Sequence, residues 1–532
     1  MIKMLKKERK ERDQLEFVNI EALVPKNHLL RKIDAAVDFN KIYDFVKDLF
    51  CPDNGRPSID PVVLFKMTLI QHIFGIPSLR KTAEEVRMNV GYCWFIGYLL
   101  NEKTPHFSTL SYNFKHRYTT ETAEKIFDWI LNEINNAGYL SPETVFVDGT
   151  HIKANANIKN VVKKEISKAS KIYEEQLMDE INEDREEHSK KPFDGPKSPE
   201  KKIVNESTTD PESGVFHKGE HKKCLAYTAQ TACDEHGYVV DVTVNADNVH
   251  DSAAFDGLYD KMTEKHPEIE TVVMDAEYKT LWICKKVFDD KRIPVLPYKT
   301  PMGKTGFFRP YSYIFDEYYD CVLCPEDHVL SYATTNRDGY REFESKSYSC
   351  ENCPSIGYCT ESIKYEKLVI KHIWENYLER AEDIRHTPEY KALYSKRKET
   401  IERVFADAKE KHAMRYTNHR GLSQVTNWIR LKFAHEGSAK KLCKNNQLQK
   451  NDFVVRADDQ SPSFLFQYKL NTAVCQAPDA TERSAVKSGY FAAASVQPVR
   501  IHYLKLTEHL APVPKRHCPF FGYLRCCQIQ SL

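Results

Sequence analysis

No stretch of this chain approaches the roughly 18 consecutive apolar residues of a membrane-spanning helix. Its opening residues, MIKMLKKERKERDQ, carry charge where a secretory leader would carry an apolar stretch. A charge excess is missing as well: 77 Lys and Arg stand against 76 Asp and Glu, a formal net charge of +1. A protein that only coats nucleic acid is usually more basic, so any contact with a polyanion has to come from local patches. These absences set the expectation of a protein made and kept in the cytoplasm, with no membrane partner. In that compartment its 15 cysteines are read as thiols and metal ligands rather than as a disulfide framework.

At 532 residues the chain is too long for one ordinary core, and two or three domains are expected. Residues 16–120 read as short helices broken at Gly75-Ile76-Pro77 and Thr104-Pro105, with Ser78 as an N-cap. Residues 1–135 are therefore assigned to a helical N-terminal domain, either a plain bundle or a DNA-binding unit. At Glu143 the texture changes to a β-rich run, ETVFVDGT. A Lys/Glu-rich stretch follows over 159–215, with a helical middle and a looped tail. Then come a hairpin (223–246, turning at His236-Gly237), a helix (250–266), a strand (269–278), a helix (280–290) and a strand (293–298). After a Cys- and Tyr-rich block, 387–412 reads as one long helix. The fold class is α/β, and this order of elements resembles a ribonuclease-H-like domain built from 136–300 and 376–443. Residues 301–375 form a Cys-rich insertion, and 444–532 a divergent tail of unreadable role.

Three carboxylates stand out in that frame. Asp148 closes the strand TVFVD, and Asp275 closes TVVMD. The carboxyl ends of neighbouring strands are where sites form in an open α/β sheet. Glu402 lies in IERVFADAK, where Ile401, Val404, Phe405 and Ala408 follow the spacing of a buried helical face. Glu402 should therefore point towards the sheet more than an average helical Glu. Any one of these acids alone reads more readily as a turn former or a solvated side chain than as a functional group. Three in this order fit a site for hard divalent ions such as Mg²⁺, which bind few carboxylates and keep several waters.

The sequence resembles the DDE transposases of bacterial insertion sequences, and most closely the branch numbered eleven-eighty-two, whose members carry a Cys-rich insertion before the last acid. The motifs are VDGTHIKANAN (147–157), HKGEHKK (217–223), VNADNVHDSAAF (244–255), VVMDAEYKT (272–280), YDCVLC (319–324), NRDGYREF (336–343), CENCPSIGYCT (350–360) and IERVFADAKEKHAMRYTNHRG (401–421). The resemblance implies that Asp148, Asp275 and Glu402 are the catalytic triad, holding two Mg²⁺ or Mn²⁺ ions. It implies cleavage and strand transfer at the ends of a mobile element, DNA ends and target DNA as partners, a homodimer on DNA within the nucleoid, and no small-molecule cofactor. It further implies that the helical N-terminal region helps to recognise the element's ends. Members of the group carry a Tyr–Arg–Glu–Lys pattern around the last acid. Lys409 fits it, seven residues after Glu402, as a contact to DNA phosphate. Tyr394 and Arg397 match less well, because Arg397 stands five residues before Glu402 rather than four, with Lys398 in the usual place. Glu277 stands where Gly is usual, and is read as a turn variant rather than a further acidic neighbour of the metals. Two rivals share these residues: a ribonuclease-H-fold nuclease that cuts without joining, and an inactive DNA-binding relic.

Outside the triad, Lys222 is a further candidate for phosphate contact, beside His221, Asn248, His250 and Asp251. Between Lys391 and Lys444 there are 14 Lys or Arg against 5 Asp or Glu. Within that span Arg415 and Arg420, with Tyr416 and Trp428 for stacking, suit a nucleic-acid surface. Cys321-x-x-Cys324 and Cys350-x-x-Cys353, with Cys359 and His328 nearby, suit a structural zinc site, though a fifth Cys leaves the ligand set open and buried thiols are the alternative. The final helix of the family is replaced here by FAHEGSAKKL (433–442), where His435, Glu436 and Gly437 break the apolar pattern. That break, together with a tail of scattered Pro, Ser and Ala that carries a Cys526-Cys527 pair, suggests a divergent or frame-shifted end.

Overall fold

The computed structural model describes residues 17–50, 58–167, 173–195, 201–218, 222–300 and 303–455, apart from the side chains of residues 166, 167, 201, 202, 218, 222 and 442–455. The tail 456–532, the leader 1–16 and His221 lie outside the described residues.

The N-terminal region is helical, as its punctuation requires. Its central helix, Pro61–Ile73, starts with proline at the first position behind Asp60, whose carboxylate accepts from the Val62 N–H at 2.7 Å. Ten of its 13 residues are buried, so neighbouring helices surround it. Ser78 caps the helix Leu79–Met88 by accepting from Lys81 N–H, as expected. Phe107–His116 and Thr120–Asn136 complete the region.

The strands run β1 (Thr144–Lys153), β2 (Val161–Ser167), β3 (Lys201–Ser207), β4 (Gly214–Lys218), β5 (Lys222–Cys233), β6 (Val239–Ala246), β7 (Thr271–Val273) and β8 (Ile293–Val295). β5 pairs antiparallel with both β1 and β6, while β1–β7 and β7–β8 are parallel. The sheet order is thus β6-β5-β1-β7-β8, with β4 pairing the start of β5. The helices Asp251–Lys265 and Leu281–Asp289 connect the last three strands. This mixed sheet behind a helical N-terminal region is consistent with a ribonuclease-H-like fold. The charged stretch 159–215 holds the helix Glu174–Glu187, and also an antiparallel ribbon of β2 and β3 where only helix and loop were expected.

A second sheet, antiparallel throughout, contains β9 (Ile314–Asp316), β10 (Cys321–Leu323), β11 (Val329–Thr335), β12 (Tyr340–Glu344) and β13 (Leu368–His372), ordered β13-β12-β11-β10-β9. Helix Glu174–Glu187 fastens it to the rest. Asp184 receives the Arg341 Nε at 2.6 Å and the Thr335 hydroxyl, Arg185 donates to the Thr335 carbonyl at 2.6 Å, and His188 meets Asp320 at 2.6 Å. One and two turns earlier on the same buried face, Ile181 and Leu177 pack on Trp374, with Tyr173 stacked on Trp282 at 4.7 Å.

Two expectations change at the C-terminal side. The run 387–412 is not one helix: Pro388–Lys396 and Ile401–Glu410 are separated by a turn at Arg397–Thr400. Conversely, His435, Glu436 and Gly437 do not break the last helix, which runs from Leu422 to Val455. His435 is fully buried there and its Nδ1 lies 2.8 Å from Nδ1 of His72. Gly437 gives the close approach to Ile134 on helix Thr120–Asn136, where an added Cβ would sit 3.0 Å from its Cδ1. One apolar cluster therefore runs from Leu30 in the N-terminal helices through the strands to Ala434.

Gly75 ties the two ends of that cluster together. Its φ is +62°, and an added Cβ would collide with the Lys411 carbonyl oxygen. Gly75→Ala should therefore destabilise the protein by roughly 2 kcal/mol or more. Gly257→Ala, on the open face of helix Asp251–Lys265, should be neutral or stabilising by up to about 1 kcal/mol. Denaturant midpoints of the two variants check the contrast.

Candidate active site

The parallel register between β1 and β7 pairs Phe146 with Val273. Asp148 and Asp275 each stand two residues beyond that pair, so adjacent strands deliver both carboxylates to the same end of the sheet. Asp148 Oδ1 accepts from the Gly149 N–H at 2.8 Å, and Asp275 Oδ1 accepts from the Glu277 N–H at 2.7 Å. Asp275 lies just past the end of β7, whereas Asp148 does not close its strand as expected: β1 runs on to Lys153, paired with β5. Glu402 comes from the first turn of Ile401–Glu410, where negative charge is favoured by the helix dipole. The expected apolar face of that helix, Ile401, Val404, Phe405 and Ala408, is buried.

All three acids meet on Arg397. Its Nη2 lies 2.7 Å from Asp148 and 3.8 Å from Asp275, and its Nη1 lies 3.4 Å from Glu402. The Arg397 side chain is 12% exposed, and Glu402, at 49%, is the most open of the triad. Glu402 thus reaches inward to Arg397 from the rim rather than from a buried position.

The turn before Glu402 resolves the irregular spacing in the sequence. The Glu402 N–H bonds to the Arg397 carbonyl at 3.4 Å, a bond spanning five residues instead of four. One extra residue is accommodated in this wide turn, and Arg397 still faces Glu402. Lys398 has no ion pair with the triad among the described contacts.

Burial dominates the electrostatics of Asp148. It pushes the carboxyl up to about 6; Arg397 acts in the opposite direction, and the charges of Asp275 and Asp251 add to the rise. Asp251, also raised by burial, receives the Gln230 amide at 2.5 Å and interacts with Glu277. Gln230 in turn accepts from the buried Tyr278 hydroxyl. Asp251 and Glu277 thus form an acidic second row beside the triad. The sequence shows both residues but not their contact, because they lie on separate elements.

The remaining candidates divide. Lys409 is half-buried, two turns along the helix from Glu402. Arg415 is exposed and paired with Glu410. Arg420 is exposed and donates to the Asn155 carbonyl at 3.0 Å. Tyr416 is exposed beside them and donates to the Asn155 side chain, at an isolated bridge between Tyr416 and Lys153. The side chain of Lys222 lies outside the described residues. Trp428, expected to stack on bases, is instead buried under Lys432. Arg430 and Lys432 are buried too, so the basic run is only partly a surface feature.

Four of the five cysteines, Cys324, Cys350, Cys353 and Cys359, line one cavity together with His328. Cys321 is not in its lining; it sits within β10 opposite Ser331 and Asp316. Among the described residues, no three His, Cys, Asp or Glu side chains are already gathered tightly enough to hold a metal ion. The triad nevertheless offers the hard carboxylate oxygens that divalent ions such as Mg²⁺ prefer.

A mixed sheet of this order, with carboxylates at matching levels of two adjacent central chain segments, is consistent with a ribonuclease-H-like fold. Two family models match the chain: a Transposase domain (DUF772) over residues 18–116 and a Transposase DDE domain over residues 323–435. No curated protein matches it. Both are transposase domains, and together they support a DDE transposase of insertion-sequence type. DNA is accordingly its partner, and the family generally uses divalent metals. The second match includes Glu402 but not Asp148 or Asp275, so the grouping of those two with Glu402 rests on the sheet and on Arg397.

A carboxyl raised in the fold carries a stability signature. Below the unfolded value, near 3.8, Asp148 is protonated in both states; above about 6 it is charged in both, and the fold bears the cost. By linkage that cost is on the order of 2–3 kcal/mol. Without added metal, Asp148→Asn should therefore raise the thermal midpoint at pH 7.5, with the gain fading as pH falls from about 6 towards 4. A variant less stable than wild type at pH 7.5 would show that the Arg397 pair outweighs burial.

Proposed function

We propose that this transposase cuts the ends of an insertion sequence and joins them to target DNA, with Asp148, Asp275 and Glu402 as its catalytic acids. The observation that supports this reading is the meeting of three carboxylates, from two strands and a helix, on the one guanidinium of Arg397. Two Mg²⁺ or Mn²⁺ ions held by these acids would activate the attacking oxygen and stabilise the leaving one. The acids then act as ligands and need not accept protons themselves.

Arg397 offsets the mutual repulsion of the triad, and its guanidinium suits a DNA phosphate as an alternative partner. Lys409, Arg415, Arg420 and the exposed ring of Tyr416 extend the phosphate-binding rim, and Lys222 is a further candidate there. The helical region matched by the first family model would recognise the element's ends. Two ends have to be brought together, so a homodimer on DNA is part of this reading. The unbroken helix through His435 counts against an inactive relic, because the altered segment still packs on the N-terminal helices.

The test uses labelled DNA carrying the native element ends, with Mg²⁺. Glu402→Gln and Asp275→Asn should each lower cleavage and joining by at least about a hundred- to a thousand-fold while DNA binding persists. Wild type that binds without cutting would establish the relic; cutting without joining would establish the nuclease. Arg397→Ala should also bind DNA more weakly, with the slope of log affinity against log salt reduced by about one. An unchanged slope would confine Arg397 to the triad.

A further inference from the structure

The second sheet is poorly supplied with core. Over β9 to β13 its own apolar cluster has only Val322, Leu330 and Phe343 fully buried, with a few half-buried neighbours. Two of its strands are three residues long, and its helices, Ser347–Cys350 and Ile356–Cys359, are four residues each. Such elements are not stable by themselves, and a module this thin in core requires another source of cohesion. No disulfide supplies it: Cys321, Cys324, Cys350, Cys353 and Cys359 are all free thiols.

Four of these thiols border one cavity in the module, although no three of them yet stand close enough together to hold a metal ion. Each short helix ends on a cysteine, Cys350 and Cys359, and both face the cavity lined by Cys324 and Cys353. The cavity measures about 10 Å³, room for a single atom-sized occupant. Its surroundings are already organised around sulfur. The His328 N–H donates to Cys324 Sγ at 3.3 Å, and the Tyr313 hydroxyl lies 3.3 Å from Cys359 Sγ. Lys367 Nζ, which also borders the cavity, donates to the Cys359 carbonyl at 2.9 Å. Cys321 belongs to none of these contacts.

We infer that Cys324, Cys350, Cys353 and Cys359 bind one structural zinc ion that takes the place of a core in this module, and that Cys321 is not a ligand. Four thiolates around one soft-accepting divalent ion, each Zn–S bond about 2.3 Å, are the usual closed structural set. Binding draws the four sulfurs inward and releases their protons. The fifth cysteine, which makes the sequence ambiguous, is excluded by its place within β10. His328 contributes its backbone N–H to a ligand sulfur rather than its ring.

The full-length protein, purified without added chelator, should carry one zinc per chain by elemental analysis. Replacement by Co²⁺ should produce the strong sulfur-to-cobalt charge-transfer absorption and the visible bands of a tetrahedral thiolate site. Cys350→Ser and Cys353→Ser should lose the metal, while Cys321→Ser retains one equivalent. The cobalt spectrum is read on wild type, so it stands even where a ligand variant fails to fold. Wild type with no stoichiometric metal and five readily alkylated thiols in this module would overturn the inference, and so would loss of zinc in Cys321→Ser alone. None of these readouts requires DNA or cleavage, so they fail or succeed independently of the proposed catalytic roles.

Discussion

The meeting of three negative charges on Arg397 is the constraint on which this architecture turns. Carboxylates brought close together repel one another, and burial raises the cost of charging the innermost, Asp148. A guanidinium between them offsets part of that cost and presents two nitrogens to separate acids. To arrive there, Asp148 and Asp275 need adjacent parallel strands in one register, and Glu402 needs a helix that packs its apolar face on the sheet. Arg397 itself needs the helix to stop before Glu402 and restart. A continuous helix over 387–412 would turn Arg397 and Glu402 to different faces, since five residues are well over one turn of 3.6. The wide turn at Arg397–Thr400 is therefore part of the site and not an incidental break.

A second constraint lies behind the sheet, in a buried polar spine along the helix from Leu422. Lys432 is buried and pushed down to about 7, while burial and the Lys432 charge push His435 down to about 3 and His419 to about 4. Lys432 donates to the His412 carbonyl, and His412 bonds the His72 carbonyl at 2.9 Å. These contacts pin the loop after the Glu402 helix to the N-terminal helix Pro61–Ile73. A helix that reads as mixed and basic in sequence is thereby an internal strut joining the region matched by the first family model to the region matched by the second.

What could be read from sequence follows from which signals are local. Asp148 and Asp275 stood out because an apolar run stops at each, but only β7 ends there; β1 continues past Asp148 to Lys153, because its pairing with β5 does not depend on apolar character. The buried face of the Glu402 helix was legible from its period. The cap at Ser78 was legible from residue type. The wide turn was not, because Lys-Arg-Lys-Glu-Thr contains no Gly or Pro to mark a break. The β2–β3 ribbon was hidden because its strands, VVKKEIS and KKIVNES, are too charged to alternate cleanly. Trp428, Arg430 and Lys432 read as surface because composition reports charge, while only packing against Glu124, His412 and His419 puts them inside. Likewise, five cysteines offer several ligand sets by spacing, and only the cavity separates four from the fifth.

The position of the Cys-bearing sheet in the chain links these constraints. It lies between β8 and the helices that lead to Arg397, so its mechanical quality bears on the last acid. Those helices are tied back to the sheet near the second acid. Lys279, four residues after Asp275, pairs with Glu382 on helix Glu375–Ile384, and the Tyr390 hydroxyl donates to the Leu296 carbonyl at 2.6 Å. Trp374, two residues after the end of β13, is buried against the helix that holds the second sheet. A loosened second sheet would therefore reach Arg397 through two short helices with few intervening joints. The same cohesion that closes the thiol cavity thus limits how far Glu402 can stray from Asp148 and Asp275, although none of the cysteines lies in the triad.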